Sequence, residues 1–125
     1  MIFATCLNCI DGRVQLPVIN WIIENYDINY VDMITEAGID RFLADESSNI
    51  YGILKKIKIS IEVHESKNIF ILGHYDCAGN PVNEITHKKQ INVAVKRIKS
   101  LFPDLNVAGL WINENFSVEK ILEIA

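Results

Sequence analysis

The sequence predicts an α/β fold, a mainly parallel β-sheet with helices on both faces. Three observations carry this. Short apolar, strand-like runs alternate along the chain with segments of helical period, and such alternation builds βαβ units rather than a meander or a bundle. Turn residues separate the runs, at Gly38, Gly73, Asn80-Pro81 and Phe102-Pro103. With 125 residues, 50% apolar and 22% charged, the chain has enough apolar material for one core and lacks the composition of a disordered segment. No linker or internal repeat divides it, so residues 1–125 are expected to form a single domain.

Residues 2–6 (Ile-Phe-Ala-Thr-Cys) read as a short buried strand. From Gln15 to Tyr26, Val18, Ile19, Trp21, Ile22, Ile23 and Tyr26 cover a broad helical face, and Pro17 is tolerated only in a first turn. Residues 30–35 read as a second strand. After the turn at Gly38 a helix is expected from about Glu46 to His64, with Asp45 and Ser47 as candidate caps. Its Ile50, Ile53, Leu54, Ile57 and Ile61 form the strongest helical stripe in the chain. Residues 68–72 read as a third strand ending at Gly73. A helix from Glu84 to Leu101 buries Ile91, Ala94, Val95, Ile98 and Leu101 and stops at Phe102-Pro103. Residues 106–112 read as a fourth strand. Ser117 is then expected to cap a short last helix, with Phe116 and Ile121 as a hydrophobic staple.

Charge and hydropathy exclude several classes of partner. The net charge is −4, with a pI near 5.3, and no basic stripe appears. Lys55, Lys56 and Lys58 read as the solvated face of a helix, so no nucleic-acid partner is expected. The apolar runs fall far short of the ~20 residues that span a bilayer, so no membrane partner is expected either. The chain opens on a strand with no basic leader, and its three Cys are an odd count. Both predict reduced thiols in a cytoplasmic setting rather than a disulfide framework.

The chemistry is concentrated in two segments, each just past a strand: Cys9-Ile10-Asp11-Gly12-Arg13 and His74-Tyr75-Asp76-Cys77. Two Cys and one His make a three-ligand zinc set, which leaves a tetrahedral ion one open position, the mark of a catalytic site. In open parallel sheets, ligands bind beyond the carboxyl ends of strands where the strand order reverses. A strand order of 2-1-3-4 would place Cys9 opposite His74 and Cys77. Cys6 is the rival: Cys6-Leu7-Asn8-Cys9 could complete a closed Cys3His site or act as a redox dithiol, although a Cys within an apolar strand is usually a small buried hydrophobe. Plain buried thiols beside a polar His are the remaining alternative. His64 and His87 read as exposed surface, Asp76 as a turn or hydrogen-bonding residue, and Trp21 and Trp111 as core or interface aromatics.

Cys9-Ile10-Asp11-Gly12-Arg13 after the first strand, followed by Gly73-His74-Tyr75-Asp76-Cys77 after the third, resembles the β-class carbonic anhydrases. Ala37-Gly38 resembles the turn after that family's second strand. The resemblance spans essentially the whole chain. It implies a β-carbonic-anhydrase-like fold, with zinc on Cys9, His74 and Cys77 and Asp11–Arg13 as the dyad beside the metal. It also implies a homodimer or larger homo-oligomer, and reversible hydration of CO2 to bicarbonate by a zinc-bound hydroxide. Gly12 is expected to let the backbone turn sharply. The chain departs from the family in several places. It is expected to lack the helical arm before the first strand, and its segment after Cys77 is brief. Gly12 stands for the usual Ser, Ala78 for Gly, and Glu36 for a basic or polar residue. These departures fall on the substrate pocket, which motivates two alternatives on the same fold: a non-catalytic zinc or metabolite-binding protein, and a COS or CS2 hydrolase.

Overall fold

Apolar residues run through the central strands almost without a break because both faces of the sheet are covered. The computed structural model describes residues 1–125. In chain order the elements are β1 (Phe3–Asn8), a 3-10 turn (Gly12–Val14), α1 (Gln15–Tyr26), β2 (Tyr30–Thr35), α2 (Ile39–Ala44), α3 (Tyr51–Glu62), β3 (Asn68–His74), α4 (Glu84–Leu101), β4 (Asn106–Ile112) and β5 (Val118–Ile124). The sheet order is β2-β1-β3-β4-β5, which contains the expected 2-1-3-4 arrangement. The first three pairings are parallel, and β5 lies antiparallel on β4.

Alternation along the strands sorts the core into two layers. Leu7, Ile69, Ile71 and Val107 face α2, α3 and α4, where Ile39, Leu43, Ile53, Ile57, Ile91 and Ile98 meet them. Ala4, Cys6, Phe70, Leu72, Ala108 and Leu110 face α1, against Val18 and Ile22. The crossover from β1 through α1 leads to β2 on one side of β1, and β3 then pairs on the other side. The strand order therefore reverses between β1 and β3, and the carboxyl ends of those two strands open onto one crevice.

Two expected elements are corrected. Residues 118–124 form a strand, not a helix. The organiser is Asn113 rather than Ser117: its Oδ1 accepts from the N–H groups of Asn115 (2.9 Å) and Ser117 (3.1 Å). Phe116 adopts a left-handed φ of 59°. The chain thereby returns along β4 and pairs an edge whose N–H and C=O groups would otherwise be bare. The helix expected from Glu46 begins only at Tyr51, and a separate six-residue α2 precedes it. The side chain of Asp45 accepts from the Ser47 N–H (2.9 Å) and Oγ (2.7 Å), so these residues close a turn instead of capping a helix.

Gly109 lets β4 receive its neighbours. A Cβ there would lie 2.5 Å from Ile91 Cγ2 and 2.7 Å from Leu122 Cδ2. Gly109→Ala is therefore expected to lower the free energy of unfolding by about 1–3 kcal/mol in urea denaturation, while Lys55→Ala on exposed α3 changes it by less than ~0.5 kcal/mol. Equal effects would contradict this packing.

Candidate metal centre

The two chemistry-bearing loops start from neighbouring strand ends, and local hydrogen bonds set each of them. At the end of β1, Asn8 Oδ1 accepts the Cys9 N–H at 2.8 Å, and its Nδ2 donates to the Val14 carbonyl at 3.3 Å. Gln15 Nε2 donates to the carbonyls of Cys9 (2.8 Å) and Asp11 (2.9 Å). Asp11 caps the 3-10 turn by accepting the Arg13 N–H at 2.9 Å. The chain turns sharply at Gly12, in the 3-10 turn, but its φ is not positive and a Cβ would meet nothing within 4 Å, so the turn does not require a glycine. The glycine that geometry requires is Gly38, at φ +62°, where a Cβ would lie 2.5 Å from the Gly79 carbonyl oxygen. This contact seats the loop after Cys77 on the start of α2.

Past β3, Asp76 turns the chain with a left-handed φ of 57°. Cys77 then lies with its Sγ 3.8 Å from that of Cys9. The ligand atoms of Cys9, His74 and Cys77 all lie within 4.8 Å of one another, and all three residues are buried. His74 Nδ1 donates to the Tyr75 carbonyl at 2.8 Å, which fixes the tautomer because a carbonyl only accepts. Nε2 is therefore a bare lone pair, buried and without a hydrogen-bond partner. An orphan of this kind ordinarily costs about 1–3 kcal/mol. A bare imidazole nitrogen beside two thiols is a donor set that could hold a metal ion. Cys6 lies outside this group, fully buried on the α1 face, and burial pushes its thiol well above the ordinary range.

The electrostatics favour an anionic site. The Cys77 S–H beside it is the main cause that lowers the Cys9 thiol. Burial opposes this, and the backbone N–H groups of Gly38 and Asp11 add to it. The Cys9 anion and burial in turn push Cys77 up. The Cys9 anion is thus a buried negative charge beside a second sulfur and an imidazole, a set that a cation would complement.

Asp11 and Arg13 form a two-pronged pair at the mouth of the site. Arg13 Nη2 donates to Asp11 Oδ2 at 2.7 Å and Nε to Oδ1 at 3.1 Å. Arg13 also spans the crevice, donating to Asp76 Oδ2 (3.3 Å) and to the Asp76 carbonyl (3.1 Å). Asp11 is therefore engaged by the guanidinium and does not belong to the group of metal-ligand atoms. Its carboxyl is lowered to about 2, first by the Arg13 side chain and then, against burial, by the Arg13 N–H.

His64 and His87 depart from the exposed placement expected of them. His64 is partly buried and its Nδ1 lies 2.7 Å from Asp32 Oδ2. His87 is 1% exposed and pairs with Asp40. Trp111 is core, as expected. The residues that the sequence did not assign to the site are Asn8, Gln15, Asp40 and Asn80. Asn8 and Gln15 offered one signal, as polar residues flanking the first motif. Asn80 read only as a turn residue and Asp40 offered no signal, since its partners lie far along the chain.

The family described as "Putative carbonic anhydrase" matches residues 1–122. The chain belongs to that family, as a diverged member with the β-carbonic-anhydrase fold. Among solved structures it is similar to the carbonic anhydrase of Streptococcus mutans, at 13% identity and a TM-score of 0.66, covering 94% of this chain and 81% of that one. It is similar to β-carbonic anhydrase isoform I of Trichomonas vaginalis, at 15% identity and a TM-score of 0.65, with the same coverage of 94% and 81%. A tetrameric β-carbonic anhydrase of Sordaria macrospora matches at 12% identity and a TM-score of 0.57, covering 97% of this chain and 82% of that one. At these identities the likeness is one of fold. No protein of curated function matches the sequence.

Because folding depresses the Asp11 carboxyl, its contribution to stability is complete above the ordinary value of 3.8 and is lost as pH falls through about 2. In a carbon-13 NMR titration its midpoint is expected near 2. Arg13→Ala should move it up toward 3.8. A wild-type midpoint already at 3.8 would show that Arg13 does not hold Asp11 in solution.

Proposed function

We propose that residues 1–125 act as one β-carbonic-anhydrase-like domain that binds zinc on Cys9, His74 and Cys77 and catalyses the reversible hydration of CO2 to bicarbonate. The observation that carries the reading is the Cys2His cluster with a bare His74 Nε2, beside an ionised Asp11 held by Arg13. The donor set suits zinc. An ion about 2.3 Å from each sulfur in tetrahedral geometry separates the sulfurs by about 3.8 Å, and Cys9 and Cys77 Sγ lie 3.8 Å apart. Three protein ligands leave a fourth position open, and Arg13 keeps Asp11 from closing it.

Zinc when bound lowers the pKa of a coordinated water from ~16 toward ~7 and so supplies a hydroxide nucleophile near neutral pH. The chain's own residues do the rest. Asp11, kept ionised by Arg13, offers a carboxylate oxygen that accepts the nucleophile's hydrogen bond and directs its lone pair at CO2. Arg13 fixes Asp11 through two bonds and ties the second loop through Asp76, so both halves of the site move together. Water adds to CO2, and one bicarbonate and one proton leave. A cavity of ≈ 470 Å³ adjoins Cys77, lined in part by Tyr75, Pro81, Val82 and Trp111. Exposed Ile10 and Leu16 beside the first motif support a homodimer or larger homo-oligomer. The three free thiols support a cytoplasmic setting, and no helix is long and apolar enough to cross a membrane.

The test is stopped-flow CO2 hydration on protein carrying one zinc per chain. Two thiolates donate more charge to the metal than imidazoles do, so kcat should rise toward alkaline pH. A profile flat from about pH 6 to 9 contradicts this. Asp11→Ala should lower kcat/KM by about 10²- to 10⁴-fold. Cys6→Ser should keep its zinc, and loss of metal in that variant would mark a closed structural site. Full zinc without turnover on CO2 would overturn the anhydrase reading and leave COS or CS2 hydrolysis, or non-catalytic metal binding, on the same fold.

A further inference from the structure

A buried polar network stands behind the metal centre, and nothing in the chemistry above uses it. Asp40 at the start of α2 is 1% exposed, His87 on α4 is 1% exposed, and Asn80 in the loop after Cys77 is fully buried. His87 Nδ1 donates to Asp40 Oδ2 at 2.5 Å. Asn80 Nδ2 donates to Asp40 Oδ1 at 3.0 Å and to Gln90 Oε1 at 2.7 Å. The Arg41 N–H adds a third donor to Asp40, at 3.0 Å. Burying a carboxylate and an imidazole is costly, and such a pair is weak evidence of added stability. The placement of the network indicates what it is for.

It brackets the second motif at both ends. Asp40 Oδ2 occupies the space beside Gly73, where a Cβ would lie 2.5 Å from it, and Gly73 precedes His74. At the other end the Asn80 N–H donates to the Cys77 carbonyl at 3.2 Å. Two residues before Asp40, Gly38 packs on Gly79. One short helix start therefore supports the segment that carries two of the three donors, His74 and Cys77.

We propose that Asp40, Asn80 and His87 are positioning residues for the metal site: Asp40, oriented by His87, holds the Asn80 amide and so fixes the segment from Gly73 to Asn80 in the geometry that presents His74 and Cys77 to the ion. The proposal rests on the zinc reading and goes beyond it. It also accounts for Gly73 in the Gly-His-x-x-Cys motif, since no larger residue leaves room for Asp40.

The test measures Zn2+ affinity by competition with a chromophoric chelator, together with the thiolate-to-metal charge-transfer band of the Co2+-loaded protein. Asn80→Ala and His87→Ala are expected to weaken Zn2+ binding by about 10- to 100-fold, the usual cost of losing a partner that orients metal ligands, and to shift the Co2+ band. His87→Gln, whose amide still donates to Asp40, should recover most of the affinity. Ile57→Ala on α3 is the control. It lowers Tm by cavity formation but should leave affinity and band at the wild-type values. Should Asn80→Ala not fold, Gln90→Ala removes one acceptor of the same amide and should still weaken binding several-fold. Wild-type affinity in Asn80→Ala or Gln90→Ala, or an equal loss in Ile57→Ala, overturns the positioning role. A wild-type protein that binds Co2+ with no thiolate band overturns the metal reading itself, a result distinct from unchanged variants of a protein that binds.

Discussion

Everything in this molecule's chemistry depends on one parallel pairing, that of β1 with β3 through Thr5↔Ile69, Cys6↔Phe70 and Leu7↔Ile71. The two strands are far apart in sequence and adjacent in space, and each ends just before a loop that bears a thiol. The pairing register decides which residues leave the sheet together. A slip by one residue would turn every side chain to the opposite face and carry Cys9 away from Cys77. The layers on either side protect the register. Leu7 and Ile71 are buried against α2–α4, and Cys6 and Phe70 against α1, so each side chain has its own packed place in one of the two layers.

The site built on that pairing is electrostatically incomplete by itself. Two sulfurs lie 3.8 Å apart, and the shift of Cys9 shows the pair tending to carry charge in a buried place. Near the mouth, Arg13 supplies positive charge but spends its donors on Asp11 and Asp76. As an exposed ion pair the Asp11–Arg13 contact adds little to stability. Its consequence is geometric: it holds a carboxylate beside the donors without letting it join them. Behind the donors, the start of α2 supports the second loop through Gly38 and Asp40. The arrangement is thus packed and hydrogen-bonded at the back and charged at the front.

Much of this was legible in the sequence, for identifiable reasons. The α4 boundaries followed from a long apolar stripe and the Phe102-Pro103 stop, and the structure adds Asn83 as the cap. The parallel sheet followed from βαβ alternation and the candidate metal set from two motifs that each follow a strand, whereas the 2-1-3-4 order was expected only as the arrangement that brings those motifs together. What escaped was set by contacts distant in sequence or by short elements. Helix α2 has six residues, too few for a period to show. The last segment carries a cap-like Ser117 and a staple-like Phe116 and Ile121, yet pairing with the open edge of β4 outweighed local propensity. His87 lies on a helix rich in polar residues, and only its alignment with Asp40, 47 residues earlier, makes it part of the core. Gly12 invited a backbone argument that the structure does not need; the strained glycine is Gly38.

The β1–β3 pairing assembles a group of two sulfurs and one nitrogen with Cys6 left out. X-ray absorption spectroscopy of the zinc-loaded protein tests it most directly. The expected first shell contains two sulfurs at about 2.3 Å and one imidazole nitrogen at about 2.0 Å, completed by a light atom. A shell of three sulfurs would place Cys6 on the metal, and a shell without sulfur would separate the two loops; either result contradicts this account.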